Sequence, residues 1–190
     1  MKRFFKLSVL VLTISVLSET AQGAELAGAN FPDRTSVKGV ELILNGLGVR
    51  KATIFKIKAY VAGLYLAKKA SDVNAILSNK KPKKIVMKFL RSVEASRLAD
   101  GWVEGFESNS IAYSVLKERV QRLAGLMPDV KDGDIIEFEI SDDLTIVKSN
   151  SKILTEVKGD DFSKGLLLVW LGPNPPNEDL KKGMLGVLDE

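Results

Sequence analysis

The side chains in this sequence that could do chemistry are two arginines and a few aromatics. Arg50 follows Asn45-Gly46-Leu47-Gly48, and Arg91 follows the alternating run Lys84 to Leu90. An arginine at such a place can hold a carboxylate or an enolate through its planar fork of donors. Each of the two also reads as a solvated arginine or one half of a structural ion pair. Tyr60 reads either as a polar tip at a pocket mouth or as a half-buried sheet tyrosine. Trp102, Phe106 and Trp170 read as core residues or as the lining of a cleft.

The residues that are missing narrow the chemistry further. Histidine is absent, which removes Ser-His-Asp catalysis, imidazole bases and most zinc sites. Cysteine is absent as well, so thiol nucleophiles and iron–sulfur clusters are excluded. Asp129-Val130-Lys131-Asp132-Gly133-Asp134 lacks the ligand spacing of a calcium loop and reads as an acidic turn. The Asn45–Gly48 segment is glycine-rich but opens no helix, so it does not predict a phosphate cradle. Nothing in the sequence calls for a metal or a cofactor.

Elements must now be found to position these groups. Lys2, Arg3 and Lys6 precede an apolar run over Leu7–Leu17, and Ala21-Gln22-Gly23 supplies small residues at −3 and −1. That pattern predicts a signal peptide over residues 1–23 and an exported bacterial product, periplasmic or secreted. The apolar run is shorter than the roughly 20 residues of a spanning helix, so no membrane span is expected after cleavage. Removing the peptide takes three cations and one anion, and the formal charge falls from +4 to +2. So balanced a surface gives no electrostatic footprint for nucleic acid. Residues 24–190 are long enough for a single domain with its own core, held without disulfides.

Alternation predicts a first strand over Val37–Leu44, a turn at Asn45–Gly48 and a long strand ending at Leu66. On that strand Tyr60, Ala62, Leu64 and Leu66 share the greasy end of one face, while Lys56 and Lys58 hold its wet end. A face that changes from wet to dry along one strand suits the mouth of a pocket. A short helix is expected from Asp72 to Ser78, then the strand ending near Leu90. From Glu94 the period becomes helical: Leu98, Trp102 and Phe106 form one stripe. A second helix is expected over Ile111–Leu126. Strands follow over Asp134–Ile140, Leu144–Lys148 and Ser151–Val157. An apolar helix over Phe162–Leu171 closes the set, with Gly172 as its cap. The order is strands, helices, strands, helix, which is α+β with an antiparallel sheet.

Several segments, taken in order, resemble the chalcone isomerase-like proteins. They are Asn45-Gly46-Leu47-Gly48-Val49-Arg50, Tyr60-Val61-Ala62-Gly63-Leu64-Tyr65-Leu66 and Phe89-Leu90-Arg91-Ser92-Val93. The helix Gly101-Trp102-Val103-Glu104-Gly105-Phe106, Gly133-Asp134 and Leu167-Leu168-Val169-Trp170-Leu171-Gly172 complete the set. The resemblance spans about residues 36–186. It implies an open-faced β-sandwich, a large antiparallel sheet with helices layered on one face and a ligand cleft between. Arg50 matches the family's catalytic arginine. Tyr60 stands where the plant enzymes carry a threonine that helps hold the substrate ketone. Glu94 and Gly101 stand where those enzymes carry a helical tyrosine and asparagine, so neither group is retained. Val169 and Trp170 fall at the specificity pair before the last helix's glycine.

Three function classes follow. The leading expectation is a non-catalytic binder of a small apolar anion, such as a fatty acid, in a cleft near Arg50. Arg50, Tyr60, Arg91, Trp102, Val169 and Trp170 are its expected ligand contacts. The first alternative is an intramolecular lyase or isomerase of the chalcone isomerase type, acting on a phenolic ligand with Arg50 as electrophile. The second is an interaction or scaffold protein of the cell envelope.

Overall fold

A computed structural model of the chain describes residues 23–52, 55–110 and 112–187. Apart from Gly23, the predicted signal peptide lies outside the described residues.

Seven strands among the described residues build one antiparallel sheet, lying side by side in sequence order. They are β3 (Arg34–Val37), β4 (Val40–Ala52), β5 (Ile57–Leu66), β6 (Lys83–Phe89), β7 (Ile135–Ser141), β8 (Leu144–Ser149) and β9 (Lys152–Lys158). A separate hairpin of β1 (Gly23–Leu26) and β2 (Ala29–Pro32) precedes them. Helix α1 (Val73–Ser78) bridges β5 and β6, while α2 (Ala95–Asn109) and α3 (Tyr113–Ala124) bridge β6 and β7. Helices α4 (Asp160–Leu171) and α5 (Glu178–Met184) end the described chain.

Both faces of β5 are buried, and alternation decides what each one meets. Ala62, Leu64 and Leu66 join Ile85, Met87 and Phe89 of β6 against the helices. Trp102, Phe106, Leu116, Phe162 and Trp170 come down from α2, α3 and α4 onto this face. Val61 and Tyr65 turn the other way, to a smaller cluster with Phe31 and Leu42. There the Tyr65 hydroxyl donates to the Pro32 carbonyl at 2.9 Å, tying the β1–β2 hairpin to the sheet. The helices thus occupy one face, and a small hairpin covers part of the other.

Two expectations are corrected. The residues Asn45–Gly48 are not a turn: they lie inside β4, and the chain reverses after Ala52. Gly46 and Gly48 do not take positive φ. They are glycines because the backbone of α5 lies directly on them. A Cβ on Gly48 would collide with the Leu180 carbonyl oxygen and stand 2.8 Å from Leu180 Cα. One on Gly46 would meet the Gly183 carbonyl and stand 2.8 Å from the Gly186 nitrogen. Gly183 answers from the helix side, where a Cβ would stand 2.8 Å from Gly48 Cα.

The second correction concerns the expected strand Val37–Leu44, which is split by a reversal at Lys38-Gly39. Both residues have positive φ (48° and 75°), the backbone of a two-residue hairpin turn. Gly172 caps α4 as expected, in an extended conformation (φ −72°, ψ −175°). Its missing Cβ makes room for the Asn109 side chain.

A break in the β4 ladder sets which side chains reach the helices. The β4–β5 register slips between Leu44 and Gly46, leaving Asn45 as a bulge. Before it, Leu42 and Leu44 face the hairpin side; after it, Leu47 and Val49 do so. The slip therefore turns Gly46, Gly48 and Arg50 toward the helices, because one extra residue exchanges the two faces of a strand. Asn45 is held in the bulge by its own side chain. Its Nδ2 donates to the Met184 carbonyl (2.9 Å), and its Oδ1 accepts from the Ala70 N–H (2.8 Å).

Candidate functional site

A cleft of about 780 Å³ opens between the Arg50 end of the sheet and the helix layer. Its floor is a row across three strands: Arg50 pairs with Tyr60, and Tyr60 pairs with Phe89. Directly opposed residues share a face, so the guanidinium, the phenol and the phenyl ring all rise on the helix side. The Tyr60 and Phe89 rings meet edge to face at 5.7 Å. Trp102 of α2 and Val169 and Trp170 of α4 form the opposite wall, and Pro175 and Pro176 close one side.

Arg50 is half-buried and only partly committed. Its Nη1 donates to the Lys51 carbonyl (2.9 Å) and to the Pro176 carbonyl (2.5 Å), which pins the loop between α4 and α5. Asn177 secures the same loop, accepting from the Lys51 N–H at 3.1 Å and donating to the Val49 carbonyl at 3.2 Å. No partner among the described residues takes the Nε and Nη2 donors of Arg50. The guanidinium is thus oriented by protein and still carries free N–H groups inside the cleft.

Tyr60 complements it. The Trp170 indole N–H donates to the Tyr60 oxygen at 3.3 Å, so the phenol accepts from protein and its own proton has no acceptor among the described residues. Burial pushes the Tyr60 phenol above its ordinary range; the Trp170 hydrogen bond and the Arg50 charge pull the other way and are outweighed. Tyr60 is therefore a neutral donor beside a charged one. Together they suit an anionic oxygen pair or the oxygen of a polarised carbonyl.

The aromatic wall is stacked in series. Trp102 contacts Trp170 at 5.4 Å and Phe138 at 5.1 Å, both edge to face. The Trp102 Nε1 is buried and has no hydrogen-bond partner among the described residues. Phe106, on the same stripe of α2, belongs to the core, where its ring stacks on Phe162 at 5.3 Å. Asn109 fastens the far end of α2 to the loop after α4. Its Nδ2 donates to the Asn174 carbonyl and its Oδ1 accepts from the Asn174 N–H, at 2.9 and 2.8 Å.

All six expected site residues, Arg50, Tyr60, Arg91, Trp102, Val169 and Trp170, line this one cleft. They do not stand equally deep. Arg91 is exposed at the exit of β6 and forms the lip with Glu94, Arg97 and Glu104, while Trp102, Val169 and Trp170 are buried. Phe89 and Pro176 were not anticipated. Phe89 was legible as a strand residue, and its place opposite Tyr60 depends on register. Pro176 contributes a main-chain carbonyl, which no side-chain motif announces. Among the described residues no cluster of three or more acidic side chains could hold a metal ion. No helix among them is long and apolar enough to cross a membrane.

A large antiparallel sheet, a helix layer and a basic-aromatic cleft between them make this an α+β protein. Comparison with family models places it more closely: residues 23–186 match the chalcone isomerase-like family, and the chain belongs to that family. Among solved structures it is similar to an Arabidopsis thaliana fatty-acid binding protein. The two share a TM-score of 0.68 at 14% sequence identity, over 86% of this chain and 96% of the plant one. At that identity the likeness is one of fold. No curated protein matches the sequence.

Proposed function

We propose that the protein is a non-catalytic binder of an apolar anion of the fatty-acid kind. The observation that carries this reading is the Arg50–Tyr60 pair, whose free donors stand at the sheet end of a cleft walled by Phe89, Trp102, Val169 and Trp170. The carboxylate would take the Nε and Nη2 donors of Arg50 and the Tyr60 hydroxyl. The tail would lie along the aromatic wall, each buried methylene contributing roughly 0.8 kcal/mol. The fold shared with a plant fatty-acid binding protein supports the reading. The basic and apolar N-terminus supports the further proposal that the domain works outside the cytoplasm after losing residues 1–23.

The lyase alternative has one observation in its favour, since the same two donors could polarise a ketone toward an enolate. The two readings separate on Arg50→Ala. Both tryptophans of the chain line the cleft, so intrinsic fluorescence reports its occupancy directly. Titration with dodecanoate should give saturable binding that weakens 10- to 100-fold in Arg50→Ala, the worth of about 1.5–3 kcal/mol for a charged hydrogen bond. Arg50→Lys should not restore it, because an ammonium lacks the planar fork. Binding that ignores Arg50, or chalcone turnover that collapses in the variant, would overturn the binder reading. Capture of an envelope partner unaffected by Arg50→Ala, with no uptake of acid, would favour a scaffold instead.

A further inference from the structure

Helix α2 carries two glycines in its interior, Gly101 and Gly105, one turn apart on the cleft-facing side. A helix-interior glycine destabilises relative to alanine and needs a local reason. Gly105 has one: a Cβ there would stand 2.7 Å from Val169 Cγ1, so the glycine lets α2 approach α4. Gly101 has none of that kind. Its φ is helical, and a Cβ there would meet nothing within 4 Å. What lies beyond it is the cleft.

The residues flanking Gly101 along the same face, Glu94, Leu98, Glu104 and Ser108, also line the cleft and all carry side chains. Ser96 and Glu107, exposed on the same helix, do not line it. The one bare position on this helix that packing leaves unexplained is thus the middle of the cleft's lip. We propose that Gly101 is the specificity-determining residue of the site, its missing side chain leaving a passage across which the body of an apolar anion lies. The proposal rests on the ligand reading above and adds where the ligand is admitted and what limits its breadth. A side chain at 101 would narrow that passage, and its Cβ would touch no packed atom, so thermal melting separates occlusion from misfolding.

The test uses the full mature chain with dodecanoate as probe, read by tryptophan fluorescence, alongside thermal melting. Gly101→Leu should melt at or above the parent temperature, because leucine favours helix over glycine, yet bind dodecanoate at least tenfold more weakly. Gly101→Ala should fall between the two in affinity. Glu107→Leu, which puts the same leucine at an exposed position of α2 outside the cleft lining, should bind as the parent does. The proposal is overturned if Gly101→Leu binds like the parent, if Glu107→Leu weakens binding as much, or if Gly101→Leu melts several degrees lower. A parent protein that takes up no dodecanoate would overturn the ligand reading itself, and this proposal with it. Parent binding with an indifferent Gly101→Leu would overturn this proposal alone.

Discussion

Asn45→Ala probes the bulge that aims Arg50 at the cleft. Asn45 is 5% exposed, and its side chain makes two hydrogen bonds, to the Met184 carbonyl and from the Ala70 N–H. Alanine leaves both main-chain groups without their partner. An unsatisfied buried group costs about 1–3 kcal/mol; two of them, with some solvent reaching the end of α5, give an expected loss of about 2–4 kcal/mol. For a domain of this size that lowers Tm by roughly 5–15 °C. Scanning calorimetry and urea unfolding would measure it. Because the same bulge turns Arg50 to the helix side, dodecanoate affinity should fall as well, at temperatures where the variant is still folded. A Tm within about 2 °C of the parent would refute the energetic argument. A destabilised variant with parent affinity would refute the claim that Asn45 sets the direction of Arg50.

Two further outcomes follow from the same geometry. Gly48→Ala should displace α5, since its methyl would collide with the backbone of Leu180. With Leu180 and Met184 fully buried and Leu185 nearly so, the expected cost is about 3 kcal/mol or more, with faster hydrogen exchange confined to α5. Parent-like exchange there would contradict the close approach. Dodecanoate affinity should be flat from about pH 6 to 9, because the chain holds no histidine to change its charge there. On the acid side binding is lost as the ligand's carboxylate protonates in its ordinary range of about 4–5. On the alkaline side the Tyr60 donor survives past the usual tyrosine range, since its pKa is raised, and is lost only as pH rises through that raised value. A binding step near pH 7 would show that a group outside this account titrates in the site.

The sequence was most legible where one period runs unbroken. The strands from Lys83 to Phe89 and from Ile135 to Lys158, and helices α1, α2, α3 and α4, stand within a few residues of where alternation and helical spacing put them. Local signals sufficed there because each element's buried face is written in its own residues. Asp72 announces α1 in the same way, since its side chain accepts from the Ala75 N–H within its own turn. Helix α5 and the first hairpins were less legible. Glu178 and Asp179 at the start of α5 and Lys181 and Lys182 at its end complement a helix dipole. Seven residues after a proline-rich loop are too few to show a period.

The sequence by itself determined the α+β class, the chemistry excluded by missing histidine and cysteine, and the residue types available to the cleft. Only the tertiary structure decided what the glycines before Arg50 are for. Glycine permits both a positive φ and a close approach, and nothing local distinguishes them; the backbone of α5, more than 130 residues away in sequence, does. The direction of Arg50 was likewise beyond strand periodicity. A strict period of two would place it on the face of Leu42 and Leu44, and a bulge held by contacts to Ala70 and Met184 moves it to the other. Register is a property of the paired strands and what packs on them, so the site exists only once the sheet and α5 have met.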